Sequence, residues 1–402
     1  MGPPPGSGKT DPGKFPRFTA LPIDRRRFLL LTGGLAAGAA LAPRLAWARK
    51  IARLGAGPTL LQPWTLPDDP PVSTLETARA LIGAAVLAPS EWNTQPWRFE
   101  VEDASVRLFT DPARLLPGTD PDARGLMISL GAALENLLVA ARAYGLRPTV
   151  NYFPGEAASG VVAEVLWASG DARRDRALFA AIPGRRTNRR AYDERGIFPE
   201  QRAQLSAQVP DGLSLRWIDD RDAIRAVSNL AHDAVREQIE DDRIAGEQFG
   251  WMRFGSDAER RGDGVPVESL ELGTFTSWMA KRYFNPKSWF GRFGPEHGAR
   301  EARDGLRSAG ALALLCAPAR APSHWLMGGQ AFERFALQAS ALGLAVQPLS
   351  APIEQRRHRV GLLRAFDAAG EEPLLLVRLG HARAPEPTPR RSVALVTTFR
   401  TS

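Results

Sequence analysis

The sequence predicts an α+β protein made of two related halves fused in one chain, and three observations carry that expectation. Long amphipathic helical patterns alternate with short strand-like runs. One helical pattern occurs twice, as a Gly-x-Ala-x-Glu start and a Gly-Leu end. Gly131, Ala133, Glu135, Ala141, Ala143, Gly145 and Leu146 return as Gly329, Ala331, Glu333, Ala339, Ala341, Gly343 and Leu344, each match at an offset of 198 residues. Both copies lead into strand-like runs. At 402 residues, with 44% hydrophobic and 24% charged side chains, the chain has enough apolar material for two ordinary domains or one large unit.

The elements follow in chain order. Residues 1–48 read as a leader. Arg25-Arg26-Arg27-Phe28-Leu29 precedes an apolar stretch without charge from Phe28 to Pro43, and Ala46-Trp47-Ala48 places small residues at a cleavage site. The stretch is short for a bilayer span of about 20 residues, and its paired arginines resemble a twin-arginine export signal. An uncleaved membrane anchor is the alternative. Upstream, Gly6-Ser7-Gly8-Lys9-Thr10 imitates the end of a phosphate loop, but Pro3 stands where its first glycine belongs and no strand precedes it.

Residues 49–175 form the first half and 176–402 the second, with the boundary near 170–185. After a Pro-rich stretch, Ser73-Thr74 opens a helix through Leu75, Ala78, Leu81 and Ala85. Strands are expected around Arg98–Glu102, Val106–Phe109 and Val161–Trp167. The first copy of the repeated helix runs from Leu126 to Tyr144 and ends at Gly145. In the second half an insertion at about 245–300 is rich in aromatics, including Phe249, Trp251, Phe254, Phe275, Trp278 and Trp289. It is expected to cover a site or to clasp the two halves. A strand at Leu374–Leu379 precedes the basic Pro389-Arg390-Arg391-Ser392.

Charge and composition narrow the function classes. The net charge is +8, yet residues 1–48 alone hold seven basic side chains against two acidic ones, so the body is only mildly basic. No basic run interleaved with aromatics suggests nucleic-acid binding. The single cysteine, Cys316, lies in an apolar run and reads as a buried strand residue, and the five histidines are scattered with no metal-ligand spacing.

Two motifs carry chemistry. Ala88-Pro89-Ser90-Glu91-Trp92-Asn93-Thr94-Gln95-Pro96-Trp97 is a loop stiffened by two prolines, with Ser90, Asn93 and Gln95 offering polar groups on a short arc. By residue type alone, a polar loop capping a helix end is the stronger reading. Arg185-Arg186-Thr187-Asn188-Arg189-Arg190 groups guanidiniums around a hydroxyl, a combination suited to a phosphate. A bare charge run of this kind is more often a solvated face.

The first string closely resembles the Pro-Ser-x-x-Asn-x-Gln-Pro-Trp motif of nitroreductase-family flavoproteins. The second is similar to that family's Arg-x-Ser/Thr-x-Arg/Lys element, matched by Arg185, Thr187 and Arg189. The resemblance covers most of residues 73–395. It implies an α+β, three-layer nitroreductase-like fold in which two fused halves form an intramolecular pseudo-dimer. It also implies FMN as cofactor, with Pro89, Ser90, Asn93 and Gln95 along the ring and Arg185, Thr187 and Arg189 on the phosphate and ribityl chain. Arg390 and Arg391 resemble the terminal basic pair that completes the phosphate site. Gln347 and Pro348 resemble the segment whose backbone faces flavin N5. The first half keeps the ring loop and the second the arginine element, so one complete site is expected.

The resemblance, with a twin-arginine leader, is to a divergent fused subgroup. It implies an exported oxidoreductase, periplasmic or extracytoplasmic, moving two electrons from a small-molecule donor to a nitro or quinone-like acceptor. The twin-arginine export machinery is the implied partner. No protein acid or base is nominated as catalytic. An FMN-sequestering or storage protein with a covered site is the alternative, favoured by export away from cytoplasmic NAD(P)H.

Overall fold

The computed structural model describes residues 64–155, 160–170, 173–193, 195–270 and 294–400. The leader expected at 1–48 lies outside the described residues, as do Phe275, Trp278, Tyr283, Phe284, Trp289, Phe290 and Phe293 of the aromatic insertion.

In chain order the elements are α1 (Thr74–Ala85), β1 (Trp97–Glu102), β2 (Ser105–Thr110), α2 (Arg124–Ala143), β3 (Leu146–Tyr152), β4 (Val161–Ser169) and α3 (Arg176–Ala181). There follow α4 (Pro199–Ser206), β5 (Ser214–Ile218), α5 (Arg221–Glu240), α6 (Asp242–Gly250), β6 (Met252–Arg253), α7 (Asp257–Arg261) and β7 (Val265–Pro266). Then come α8 (Gly294–Arg307), β8 (Ala311–Ala317), α9 (Pro322–Ala341), β9 (Ala345–Leu349), α10 (Ala351–Glu354), α11 (Arg356–Ala365), β10 (Glu372–Gly380), α12 (Val393–Val396) and β11 (Thr397–Phe399).

Local chemistry sets the helix ends. Ser73 caps α1, its Oγ accepting from Glu76 N at 3.2 Å. α2 and α9 both stop at a glycine in the left-handed region, Gly145 with φ +78° and Gly343 with φ +71°. The two helices occupy equivalent stretches, 124–143 and 322–341, and pack on each other more extensively than any other pair of elements. α2 is long and apolar enough to cross a bilayer, but its apolar surface is spent in the protein core.

Two sheets flank this helix pair. The first has the order β11-β1-β2-β4-β3 and is half-buried. Trp97, Phe99 and Val101 of β1 face the core, while Arg98, Glu100 and Glu102 alternate outward. On the outer face Arg107 pairs with Glu164 at 2.8 Å.

The second sheet has the order β5-β8-β10-β9 and is buried on both sides. Alternate residues of β8 go to different cores: Ala313 and Leu315 meet Phe332 and Phe335 of α9, whereas Leu312, Leu314 and Cys316 meet Ile224 and Val227 of α5 with Leu362 of α11. A strand covered by helices on both faces has to be apolar throughout, which is what Ala-Leu-Ala-Leu-Leu-Cys-Ala supplies.

One connection positions the site. After β10 the chain leaves the second sheet, and β11 adds to the first sheet parallel to β1, with Phe99 opposite Thr397 and Val101 opposite Phe399. That crossing carries Arg390 and Arg391 against the loop before β1.

Candidate functional site

The loop between α1 and β1 is held in an unusual backbone path. Trp92, Asn93 and Gln95 all have φ near +50°, a region that costs about 1–3 kcal/mol per non-glycine residue and persists only where surroundings over-determine it. The surroundings here are its own hydrogen bonds. Ser90 Oγ accepts from Gln95 N at 2.9 Å, and Thr94 Oγ1 donates to Glu91 O at 2.9 Å.

The two amide side chains of this loop reach distant segments. Asn93 Nδ2 donates to Gly264 O at 2.8 Å and to Pro389 O at 3.1 Å, while its Oδ1 accepts from Arg390 Nη1 at 3.0 Å. Gln95 is fully buried; its Nε2 donates to Gly262 O at 2.7 Å and its Oε1 accepts from Arg391 N at 2.8 Å. Asp263, between those glycines, pairs with Arg114 and with Arg253, each at 2.9 Å. The motif's amides thus tie the loop to residues 262–264 and to the C-terminal arm.

The arginine segment follows the turn Ile182–Gly184. Arg185 is buried: its Nη2 donates to Leu87 O at 3.2 Å, and its Nε lies 3.3 Å from Glu333 Oε1. Thr187 is bridged to Val346 of β9, and Asn188 N donates to Val346 O at 2.9 Å. Arg186 stacks on Trp64 with its guanidinium carbon 4.1 Å from the ring centroid, and Arg390 lies over the same ring at 5.2 Å. Burial, and then the positive charges of neighbouring arginines, pull Arg390 down to about 9 and Arg186 down to about 10. Among the described residues the buried Nε of Arg390 meets no hydrogen-bond acceptor, and that of Arg185 faces only the Glu333 carboxylate, outside hydrogen-bond geometry.

These segments line a solvent-open cavity whose space, with the open solvent at its mouth included, is about 530 Å³. Its wall includes Pro89, Ser90 and Asn93 from the loop, Arg185, Thr187 and Arg189 from the arginine segment, and Arg390 from the C-terminal arm. The other expected residues stand behind or beside it. Gln95 and Arg391 clamp each other, and Arg391 also pairs with Asp111 at 3.4 Å. Gln347 turns its Oε1 to Arg378 Nε at 2.7 Å, and Pro348 sits opposite Val377 in the second sheet.

Some wall residues carry no motif. Trp64, Val265, Ser269, Pro385, Glu386 and Thr388 join the wall through tertiary contact alone. Two buried charges behind it are more informative. Arg378, in the middle of β10, donates from Nη2 to Asn188 O at 3.3 Å and Arg190 O at 2.9 Å, with the Tyr192 ring 4.1 Å away. It fixes the backbone of the arginine segment. Glu333, fully buried on α9, faces Arg185. Arg378 is announced by its charge within the apolar run 374–379, and Glu333 only as the glutamate of the repeated Gly-x-Ala-x-Glu start.

A wall crowded with buried guanidiniums and offering Ser and Thr hydroxyls suits a ligand with an anionic end and a neutral polar end.

No family model matches the chain. A candidate NAD(P)H nitroreductase of Mycobacterium tuberculosis strain H37Rv is 32% identical over 335 residues, covering 80% of this chain and 91% of the relative. A second candidate NAD(P)H nitroreductase of that organism, acg, is 27% identical over 330 residues, covering 80% of this chain and 95% of its own. Among solved structures, the FMN-dependent nitroreductase NfnB of Mycobacterium smegmatis in complex with NADPH aligns over 56% of this chain and 98% of its own, at 18% identity and a TM-score of 0.36.

Proposed function

The chain belongs to the nitroreductase family, and on that premise we propose that it binds FMN as an oxidoreductase of nitroreductase type, serving a small-molecule electron donor and a nitro or quinone-like acceptor. The observation that carries the reading is the meeting of Pro89, Ser90 and Asn93 with Arg185, Thr187, Arg189 and Arg390 around one cavity.

The residues fit the cofactor. Arg390, with a buried Nε in want of an acceptor, and Arg185, whose Nε faces Glu333 while the residue lines the wall, hold the phosphate; Thr187 adds a hydroxyl, and Arg189 a further positive charge at the wall. Pro89 and Ser90 form the wall for the ring. FMN supplies the two-electron chemistry when bound. The insertion excludes water through Val265 and Ser269, which join the wall beside the loop, Gly264 being hydrogen-bonded to Asn93. Gln347 and Pro348 act from β9, one strand away from Thr187, and Gln95 and Arg391 act by bracing the loop.

Two features support a pseudo-dimer from tandem duplication: the helix repeat at an offset of 198 residues, and the packing of the two copies, α2 and α9, on each other. The first half gives the ring loop and the second the arginines, leaving one complete site. The leader supports export through the twin-arginine route, which carries folded cargo. Cell fractionation with and without Arg25-Arg26 replaced by lysines tests that placement.

One observation favours FMN storage as a second reading. The amides of Asn93 and Gln95 are committed to the insertion and the C-terminal arm, so the loop is fastened under a cover. Purified protein should be yellow and lose its flavin when Arg185 and Arg189 are both changed to Ala; stoichiometric flavin in that variant would overturn the assignment. Anaerobic reduction with NADPH followed by reoxidation with a nitroaromatic supports turnover, and a flavin inert to both supports storage.

A further inference from the structure

Glu333 is the group the proposed function leaves unused. It is fully buried on α9, and its Oε1 lies 3.3 Å from Arg185 Nε. Arg185 and Arg390 line the cavity; Glu333 does not. The Arg185 guanidinium therefore touches a carboxylate on one side and the cavity on another. Any anion entering the cavity competes with Glu333 for the same positive charge.

The surroundings of Glu333 are poor in donors. Among the described residues neither buried carboxyl oxygen completes a hydrogen bond, although Arg185 Nε and Asn136 of α2 stand beside the group. Asn136 stands beside Glu333 and favours its charged form, while one of its two Nδ2 hydrogens goes to Ala84 O at 3.2 Å. Buried and without a completed hydrogen bond, the Glu333 carboxylate gains by taking a proton once Arg185 turns its charge to a bound anion. The charged groups facing Glu333 are Arg185 from the segment after α3, Arg390 from the C-terminal arm, and Glu135 from α2. Glu135 is already engaged by Arg142, Gln330 and Arg334. Burial pushes the Glu333 carboxyl up, against the two arginines, to about 7.

We propose that Glu333 is a proton-taking counterion of this cavity: it balances Arg185 and Arg390 while no anion is bound, and takes one proton from solvent when a phosphate monoester binds them. The inference rests on the FMN reading, with the phosphate at the arginine end. It makes flavin binding weaken as pH rises, because each bound phosphate must bring a proton with it.

The test is an FMN titration by fluorescence quenching from pH 6 to 8, below the pH at which Arg390 gives up its own proton, on the full chain and on Glu333→Gln. The wild-type affinity should fall by up to about tenfold per pH unit above pH 7, while E333Q should lose that slope and bind more tightly than wild type at pH 8. Calorimetry at pH 8, in buffers of different ionisation enthalpy, reads the proton directly. A free phosphate monoester is already dianionic there, its second pKa being about 6. Wild type should take up a proton with FMN and none with riboflavin. Equal pH slopes in the two proteins, absent proton uptake, or equal uptake with riboflavin each overturn the inference while leaving FMN binding standing. Failure of both proteins to bind FMN at every pH overturns the FMN reading and this inference together. Should E333Q not fold, the wild-type calorimetry decides alone.

Discussion

Gly131 of α2 and Gly329 of α9 meet at the crossing of the two helices, each beneath a carbonyl of the other. A side chain on Gly131 would collide with Leu326 O, and one on Gly329 with Ile128 O. Leu326 follows Ile128 by the same 198 residues that separate the glycines, so the contact is reciprocal in the way of a two-fold interface. Gly329→Ala must push the helices apart and is expected to cost about 1–3 kcal/mol, read from urea unfolding. A midpoint equal to wild type would mean that the backbones are not in contact.

Arg378 should matter to both stability and ligand retention. It is almost fully buried with no carboxylate against it, and its donors go to Gln347 Oε1, Ser308 Oγ and the carbonyls of Gly305, Asn188 and Arg190. Arg378→Met strips those acceptors of their donor in a buried setting, at a cost of about 3 kcal/mol. It also loosens the backbone that carries Thr187 and Arg189. Urea midpoints and the flavin content of the purified variant check both effects; unchanged flavin content would show that Arg378 serves the fold alone.

Glu91, inside the ring-loop motif, is set to make stability depend on pH. Burial, and then the negative charges of Glu354 and Asp120, push its carboxyl well above the ordinary range. Its Oε1 accepts from Ser350 at 3.2 Å, and its Oε2 is buried with no donor. The folded chain therefore holds a proton that the unfolded chain releases, so stability falls as pH rises from the ordinary carboxylate value, 4.5, to the raised one. Glu91→Gln should raise the melting temperature relative to wild type at pH 8, and the gain should shrink toward pH 5. A constant difference across that range would exclude Glu91 as the source.

Cys316 should be chemically silent. It is fully buried in β8, and burial pushes its thiol up to about 12. Native protein at pH 8 is expected to resist a maleimide probe for hours, and unfolded protein to label at once. Rapid native labelling would place β8 nearer the surface than it lies.

Where a local rule operates, the sequence reading and the structure coincide. The α1 start at Ser73 is a side-chain cap, and the α2 and α9 ends at Gly145 and Gly343 need a positive φ that glycine adopts cheaply. The paired helix pattern was readable because buried faces repeat every three or four residues. Of the cavity wall, Pro89, Ser90, Asn93, Arg185, Thr187, Arg189 and Arg390 were marked by two motifs and a basic pair.

Tertiary structure decided what those groups touch. Nothing near Gln95 in sequence announces that its amide is spent on Gly262 and Arg391, or that Gln347 turns to Arg378. Trp64 joins the wall from beyond the first helix, and β11 finds β1 across almost 300 residues of chain. Backbone preferences and hydrophobic periods act over a few residues, so the order of side chains fixes helices, caps and the kinds of donor at hand. Which donor meets which acceptor depends on the packing of α2 on α9 and on the closing of the C-terminal arm. Those contacts place Arg185 and Arg390 at one cavity, with Glu333 buried against Arg185.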